Sequence, residues 1–360
     1  MNGNIYQRKD GRFEARVSLG KDENGKRHYR SYYGNTYEEA EIKLLSVQEK
    51  RGFDVKITEM TVKEVGYEYL NNVKVRLKES SIANYRMKLE KHIIPVLGNI
   101  KCCLLSSSDV SGFIDQKLKS GLSARYVSDI VVLLKSLFRY ASRFYGIVNP
   151  VESILMPKRA KTEIAILTNK QQSALQKYLR NDASLTSLGI SLSLYTGIRI
   201  GELCALQWRD IDFDNCAIKI SKTVQRIQCT AGNGKTKIVI TEPKSQSSVR
   251  TIPIPQFLLE LLRNAKTSSE YFVLSGSNKP VEPRALQYRF AKILKKVNLP
   301  SVHFHSLRHA FATNCIALGF DIKTLSEILG HSSVEITLNR YVHSSMDRKR
   351  AYMGLLKWAA

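Results

Sequence analysis

The sequence predicts a multidomain, mainly α fold with small β elements, and three observations carry that prediction. With 360 residues and 43% hydrophobic content, the chain can bury real cores and exceeds what one core usually serves, so two or three compact units are expected. Apolar residues recur at helical spacing along most of the chain, whereas the first fifty residues and a stretch after Cys216 alternate as strands do. Capping pairs, prolines and glycines punctuate these runs at helix-length intervals.

Residues 1–55 read as a three-stranded sheet plus one helix. Strands are expected at Ile5–Arg8, Arg12–Leu19 and Arg27–Tyr33, with turns at Gly11 and at Lys21–Gly25. Thr36 and Glu39 then have capping-box spacing, and Ala40, Leu44 and Val47 form a stripe that could cover one sheet face. Arg and Tyr residues remain for the other face.

Residues 60–153 read as an all-helical unit. A second capping box, Thr61 with Glu64, opens helices expected at 61–75, 80–94, 108–119 and 123–145, with Pro95, Gly98 and Gly121 between them. In the fourth helix Val127, Ile130, Val131, Leu134, Leu137 and Phe138 have the spacing of a bundle core. Composition then turns to Pro, Lys and Arg, and residues 154–165 read as a linker.

Residues 166–360 read as a mixed, mainly α unit with a β insertion. Thr168 with Gln171 supplies the opening cap. The insertion runs from Cys216 to Ile254, with strands at Lys237–Thr241 and Val249–Ile254 joined by the loop Glu242–Ser248. The stretch Gly232-Asn233-Gly234-Lys235-Thr236 imitates the end of a Walker A loop, but Cys229 stands where that pattern needs glycine, so a hairpin turn is expected.

The formal net charge is +24 and the pI about 9.8, with tyrosines interleaved among the basic residues. This is the electrostatic footprint of a nucleic-acid-binding protein. The six cysteines (Cys102, Cys103, Cys204, Cys216, Cys229 and Cys315) show no C-x-x-C pairing and read as reduced, buried thiols. With no signal pattern and no apolar run near the roughly 20 residues of a membrane span, the expected setting is cytoplasmic, without membrane insertion.

Six residues form a chemically coherent set: Arg199, Lys244, His305, Arg308, His331 and Tyr341. Two guanidiniums can clamp a phosphate, a lysine and two imidazoles can donate hydrogen bonds or move protons, and a phenol can attack phosphorus. Gly197 should end one helix just before Arg199, whose i+3 neighbour Glu202 could orient it. His305 and Arg308, three apart, share a helix face while Leu307 can turn into the core. His303, His305 and His309 imitate a metal cluster, yet no cysteine or carboxylate ligand lies near them in sequence, and His309 reads as structural. His331 precedes Ser332 and Glu335, a capping pair, which would place it at a helix N-terminus. One straight helix would hold it about 15 Å from Tyr341, so a break near Asn339 is expected.

With these motifs in place, residues 166–360 resemble the catalytic domain of the tyrosine recombinases, or phage-type integrases. The matching stretches are Thr196–Leu203, Lys244–Ile254, His305–His309 and Leu329–His343, four loose motifs in the right order ending in a tyrosine. Residues 60–153 resemble the family's core-type DNA-binding domain, and residues 1–55 the arm-binding domain of mobile-element integrases. Ser306 and Ala310 stand where many relatives carry aspartate and threonine.

The resemblance implies that Tyr341 attacks the scissile phosphate to form a 3′-phosphotyrosyl link, with Arg199 and Arg308 stabilising the pentacoordinate phosphorus. It implies that Lys244 protonates the leaving oxygen, His305 assists proton transfer from the tyrosine, and His331 hydrogen-bonds a phosphate oxygen. No cofactor, metal or ATP is implied. The implied partners are double-stranded DNA at core-type and arm-type sites, and further copies of the chain in a tetramer on two duplexes. An excision factor and a DNA-bending host protein complete the set, in a bacterial, nucleoid-associated setting. The tail from Ser344, with Met346, Tyr352, Met353, Leu355, Leu356 and Trp358, would dock on a neighbouring protomer or fold back on its own domain. Competing expectations are a type IB topoisomerase-like enzyme and a DNA-binding protein without catalysis.

Overall fold

Alternation in the first fifty residues becomes an antiparallel sheet of β1 (Asn4–Gln7), β2 (Phe13–Lys21) and β3 (Arg27–Gly34), in that order. The computed structural model describes residues 4–21, 27–44, 59–158, 167–229, 236–243, 246–341, 350 and 353–354. Residues 1–160 and 161–360 form two units.

Ala15 lies opposite Ile5 on one side and Tyr32 on the other, and helix α1 (37–44) lays Ala40 and Leu44 against this face. The amide of Glu39 donates to the Thr36 hydroxyl, and the Glu39 carboxylate accepts from the amide of Asn35. Val47 lies outside the described residues. Because side chains alternate along a strand, Glu14 and Arg16 fall on the face opposite Ala15. There Glu14 is buried and accepts hydrogen bonds from Arg8, Arg16 and Ser31. The guanidiniums of Arg8 and Arg12 lie over the Tyr33 ring, and that of Arg16 over Tyr6.

The helical part contains α2 (Val62–Val73), α3 (Glu79–Lys88), α4 (Ile94–Leu97), α5 (Ser107–Lys119) and α6 (Ala124–Tyr145). The Thr61–Glu64 capping box is formed, and a further box, Ser106–Asp109, opens α5. Val127, Ile130, Val131, Leu134, Leu137 and Phe138 are all buried, as their spacing predicts. Pro95 does not end its helix. A π turn, Leu89–Ile93, joins α3 to α4, and the amide of Ile94 reaches back to the Leu89 carbonyl. Proline lacks an N–H and its ring collides with the carbonyl four residues back, so an extra residue in the preceding turn lets the helix run on to Leu97.

The second unit opens with α7 (Asn169–Asn181), capped by the Thr168–Gln171 box. Its centre is α8 (Leu185–Thr196), buried around nearly its whole circumference, followed by α9 (Ile200–Ala205). The β region begins before Cys216 and holds more strands than expected. Strands β4 (Ile211–Asp212), β5 (Ala217–Ile220) and β8 (Arg250–Pro253) form one antiparallel sheet, while β6 (Thr223–Gln228) and β7 (Thr236–Thr241) form a separate antiparallel pair. The connection 230–235, where the Walker-like stretch lies, is outside the described residues, but Gln228 pairs with Thr236 across it. Helices α10 (Gln256–Ala265), α11 (Pro283–Lys296), α12 (His305–Ala317), α13 (Ile322–Leu329) and α14 (Val334–Tyr341) complete the unit.

Cys102, Cys204 and Cys315 are buried, and burial pushes their thiols up to about 12, 12 and 11. Cys103 departs from the expectation of burial and is exposed, while Cys216 and Cys229 are half-buried. A thiol beside a core residue need not share its side, because neighbours in a tight turn point apart. Among the described residues, no helix is long and apolar enough to cross a membrane.

Candidate active site

Helix α8 stops because Gly197 adopts the left-handed conformation, with φ of 66°, where a Cβ would also lie 2.6 Å from the Phe311 ring. The chain turns there and presents Arg199 at the start of α9. Arg199 Nη1 donates to Glu202 Oε1 at 2.8 Å, and its backbone amide donates to Oε2 at 3.0 Å. Glu202 is only 5% exposed, so this pair is not the weak surface contact that i,i+3 spacing alone would suggest.

Arg308 lies within α12 and is itself 1% exposed. Its Nη1 donates to the carbonyl of Gly197 at 2.8 Å and its Nη2 to that of Leu329 at 2.7 Å. It thus ties the end of α8 to the end of α13. His305, three residues before it, stays exposed, and its ring meets His309 edge to face. Leu307, Ser306 and Ala310 are buried on the inner side of α12. Among the described residues, no group of three His, Cys, Asp or Glu side chains is placed to hold a metal ion.

Gly330, with φ of 64°, ends α13, and His331 follows. His331 Nδ1 lies 2.8 Å from the hydroxyl of Thr337, which is fully buried in α14. The expected break near Asn339 does not occur: α14 runs unbroken from Val334 to Tyr341. The chain bends upstream instead, between Gly330 and Ser333, because a left-handed glycine reverses direction at low cost and nothing in Val334–Tyr341 interrupts the hydrogen-bond ladder. His331 therefore precedes the helix and folds back toward its second turn.

These bends gather Arg199, His305, Arg308 and His331 around one pocket of about 330 Å³, together with Ser248, Gly330, Ser332 and Ile336. No acidic side chain is among the described residues lining it. With two guanidiniums at its wall, it suits an anion. Tyr341 ends the helix whose first turn contributes Ile336. Lys244 lies outside the described residues, between β7 and β8.

Sequence reasoning missed Arg250. In β8 it shares the inward face with Ile252, and its Nη1 and Nη2 donate to Glu202 at 3.1 and 2.8 Å. A basic residue in the apolar register of a strand needs a buried counter-charge, and that mismatch was the available signal. For Glu202 itself, burial pushes its carboxyl up, but the hydrogen bonds and charges of Arg250 and Arg199 outweigh this and hold it below the usual carboxylate range.

Residues 165–348 match the phage integrase family, and residues 61–118 match the phage integrase N-terminal SAM-like domain. The chain belongs to the phage integrase family. By that membership it is a tyrosine-type site-specific recombinase, an enzyme of DNA strand breakage and rejoining. The integrase is 27% identical over 372 residues to a XerC-like tyrosine recombinase of Caldanaerobacter subterraneus subsp. tengcongensis, covering 95% of this chain and 93% of that one. Among solved structures it resembles the Tn1549 transposon integrase in complex with transposon right end DNA. The TM-score is 0.69 at 26% identity, over 82% of this chain and 99% of that one. A lambda integrase tetramer bound to a Holliday junction shares the fold over 96% of this chain and 98% of that one, with TM-score 0.57 and 17% identity.

Proposed function

We propose that this integrase moves a mobile element by cleaving DNA with Tyr341. The phenol oxygen bonds to the scissile phosphorus, the bond to the 5′ oxygen breaks, and Lys244 delivers the proton that the departing 5′-hydroxyl needs. A phenol with a pKa near 10 is a weak nucleophile at neutral pH, so the positive pocket has to stabilise both phenolate and phosphorane. Arg199 and Arg308 supply that charge, His305 assists proton transfer from the phenol, and His331 donates to a phosphate oxygen. The bond energy stays in the 3′-phosphotyrosyl link, which a partner strand's 5′-hydroxyl reverses. The gathering of Arg199, His305, Arg308 and His331 around one pocket, from three separate stretches of chain, is the observation that carries this reading.

In this reading residues 1–55 grip arm-type sites, residues 60–153 grip core-type sites, and residues 166–360 cut and rejoin. The likeness to a transposon integrase bound to its element's end supports the mobile-element role. Four copies on two duplexes would exchange strands, with a DNA-bending host protein and an excision factor setting direction, in the bacterial cytoplasm. A duplex carrying a nick beside the cleavage position tests the chemistry. Wild type should leave a denaturation-resistant protein–DNA adduct, whereas Tyr341→Phe should bind the duplex and leave none. An adduct formed by Tyr341→Phe would place the nucleophile elsewhere.

A further inference from the structure

Arg250 is where three parts of the pocket wall meet. Its side chain is 6% exposed, and besides its two bonds to Glu202 it donates from Nη1 to the Ser248 carbonyl at 3.1 Å and from Nε to the Ile328 carbonyl at 2.6 Å. The same Glu202 carboxylate holds Arg199 from the other side. Arg199 Nη2 in turn donates to the Gly330 carbonyl at 2.9 Å, and Arg308 Nη2 to that of Leu329. Three consecutive carbonyls, those of Ile328, Leu329 and Gly330, thus each receive one arginine.

Those carbonyls close α13, where the helix leaves its acceptors unpaired and its dipole is negative. Three cations therefore converge on one helix end, and the backbone there fixes how far apart the guanidiniums lie. Only glycine fits at the junction: a Cβ on Gly330 would lie 2.9 Å from Arg250 Cδ and 3.1 Å from its Nη1. Arg250 is the member of the trio that is absent from the pocket lining.

We propose that Arg250 is a positioning residue for DNA cleavage, fixing Arg199 through Glu202 and fixing the 328–331 turn, so that the guanidiniums and His331 stand ready before DNA arrives. The inference rests on the pocket being the cleavage site. It requires the fork of an arginine, because a lysine ammonium cannot span the Glu202 carboxylate and the Ile328 carbonyl together.

The test compares wild type, Arg250→Lys and the double replacement Glu202→Met with Arg250→Met. For each, adduct formation on saturating nicked duplex is timed, and duplex affinity and the urea midpoint are measured. Arg250→Lys should fold, bind within about threefold of wild type and form adduct about 10²-fold more slowly, as displaced catalytic groups do. The double replacement should regain stability, because apolar residues can substitute for a buried ion pair, yet stay slow. A Lys variant as fast as wild type would overturn the proposal. So would a double variant that regains both stability and rate, since the pair would then serve folding alone. If wild type itself forms no adduct, the cleavage reading falls, and this inference falls with it.

Discussion

Glu202 carries more of the site than its position in the sequence suggests, since two arginines share its two oxygens. Removing its charge would strand the buried Arg250, at a cost of about 3 kcal/mol or more. Glu202→Gln should therefore lower the urea midpoint at neutral pH. The sign of the pH dependence follows from the depressed pKa. Its stabilisation is complete above the unfolded carboxyl's range near 4.5 and is lost as pH falls through the lower folded value. The gap between wild type and Glu202→Gln should close in acid, and a gap that is constant from pH 7 to pH 3 would exclude the linkage. At this scale the sequence singles out Arg199, His305, Arg308 and His331, which the structure brings to one pocket, because their chemistry and motif context are local. Arg250 was hidden, because its importance depends on a partner 48 residues away.

Among elements, the capped helices were the most legible. Thr61–Glu64 and Thr168–Gln171 each form the reciprocal bonds that their spacing anticipates. Thr61→Ala should cost about 1 kcal/mol, read as a lowered unfolding midpoint, and the same change at an exposed mid-helix position should cost less. A loss indistinguishable from that control would mean that the cap contributes nothing. The π turn before Pro95 was not legible. Proline forbids the ordinary ladder, but whether a helix then stops or widens depends on what its far side packs against. Here Leu89, Ile93 and Leu97 are all buried, so continuing the helix keeps three core residues in place. The bend expected near Asn339 failed for a related reason. The reversal was assigned to the helix rather than to Gly330, where a glycine makes it inexpensive.

Across the whole molecule, a formal charge of +24 makes backbone phosphate the dominant partner. Duplex affinity should fall by about 10³-fold or more between 50 and 200 mM salt, as expected for 6 or more phosphate contacts. Fluorescence anisotropy on an end-labelled duplex measures this, and a salt-independent affinity would contradict a phosphate-led interface. Composition conveyed this property directly, and the order of motifs conveyed the family. Pairing of the insertion's strands was not conveyed, because β5 joins β8 across twenty-nine intervening residues that contain a separate hairpin.

In the N-terminal sheet Glu14 is held down to about 2, chiefly by the Ser31 hydroxyl and also by Arg16 and Tyr6, against the upward push of burial. It therefore stays anionic well below the pH at which an ordinary glutamate takes up its proton. Arg8 and Arg16 are tethered to it, and with Arg12 they rest on tyrosine rings. Long, flexible side chains on this face have thus surrendered much of their rotamer freedom during folding. In the arm-binding role proposed for residues 1–55, a groove would meet a stiffened comb rather than loose bristles, a trade of adaptability for selectivity of shape.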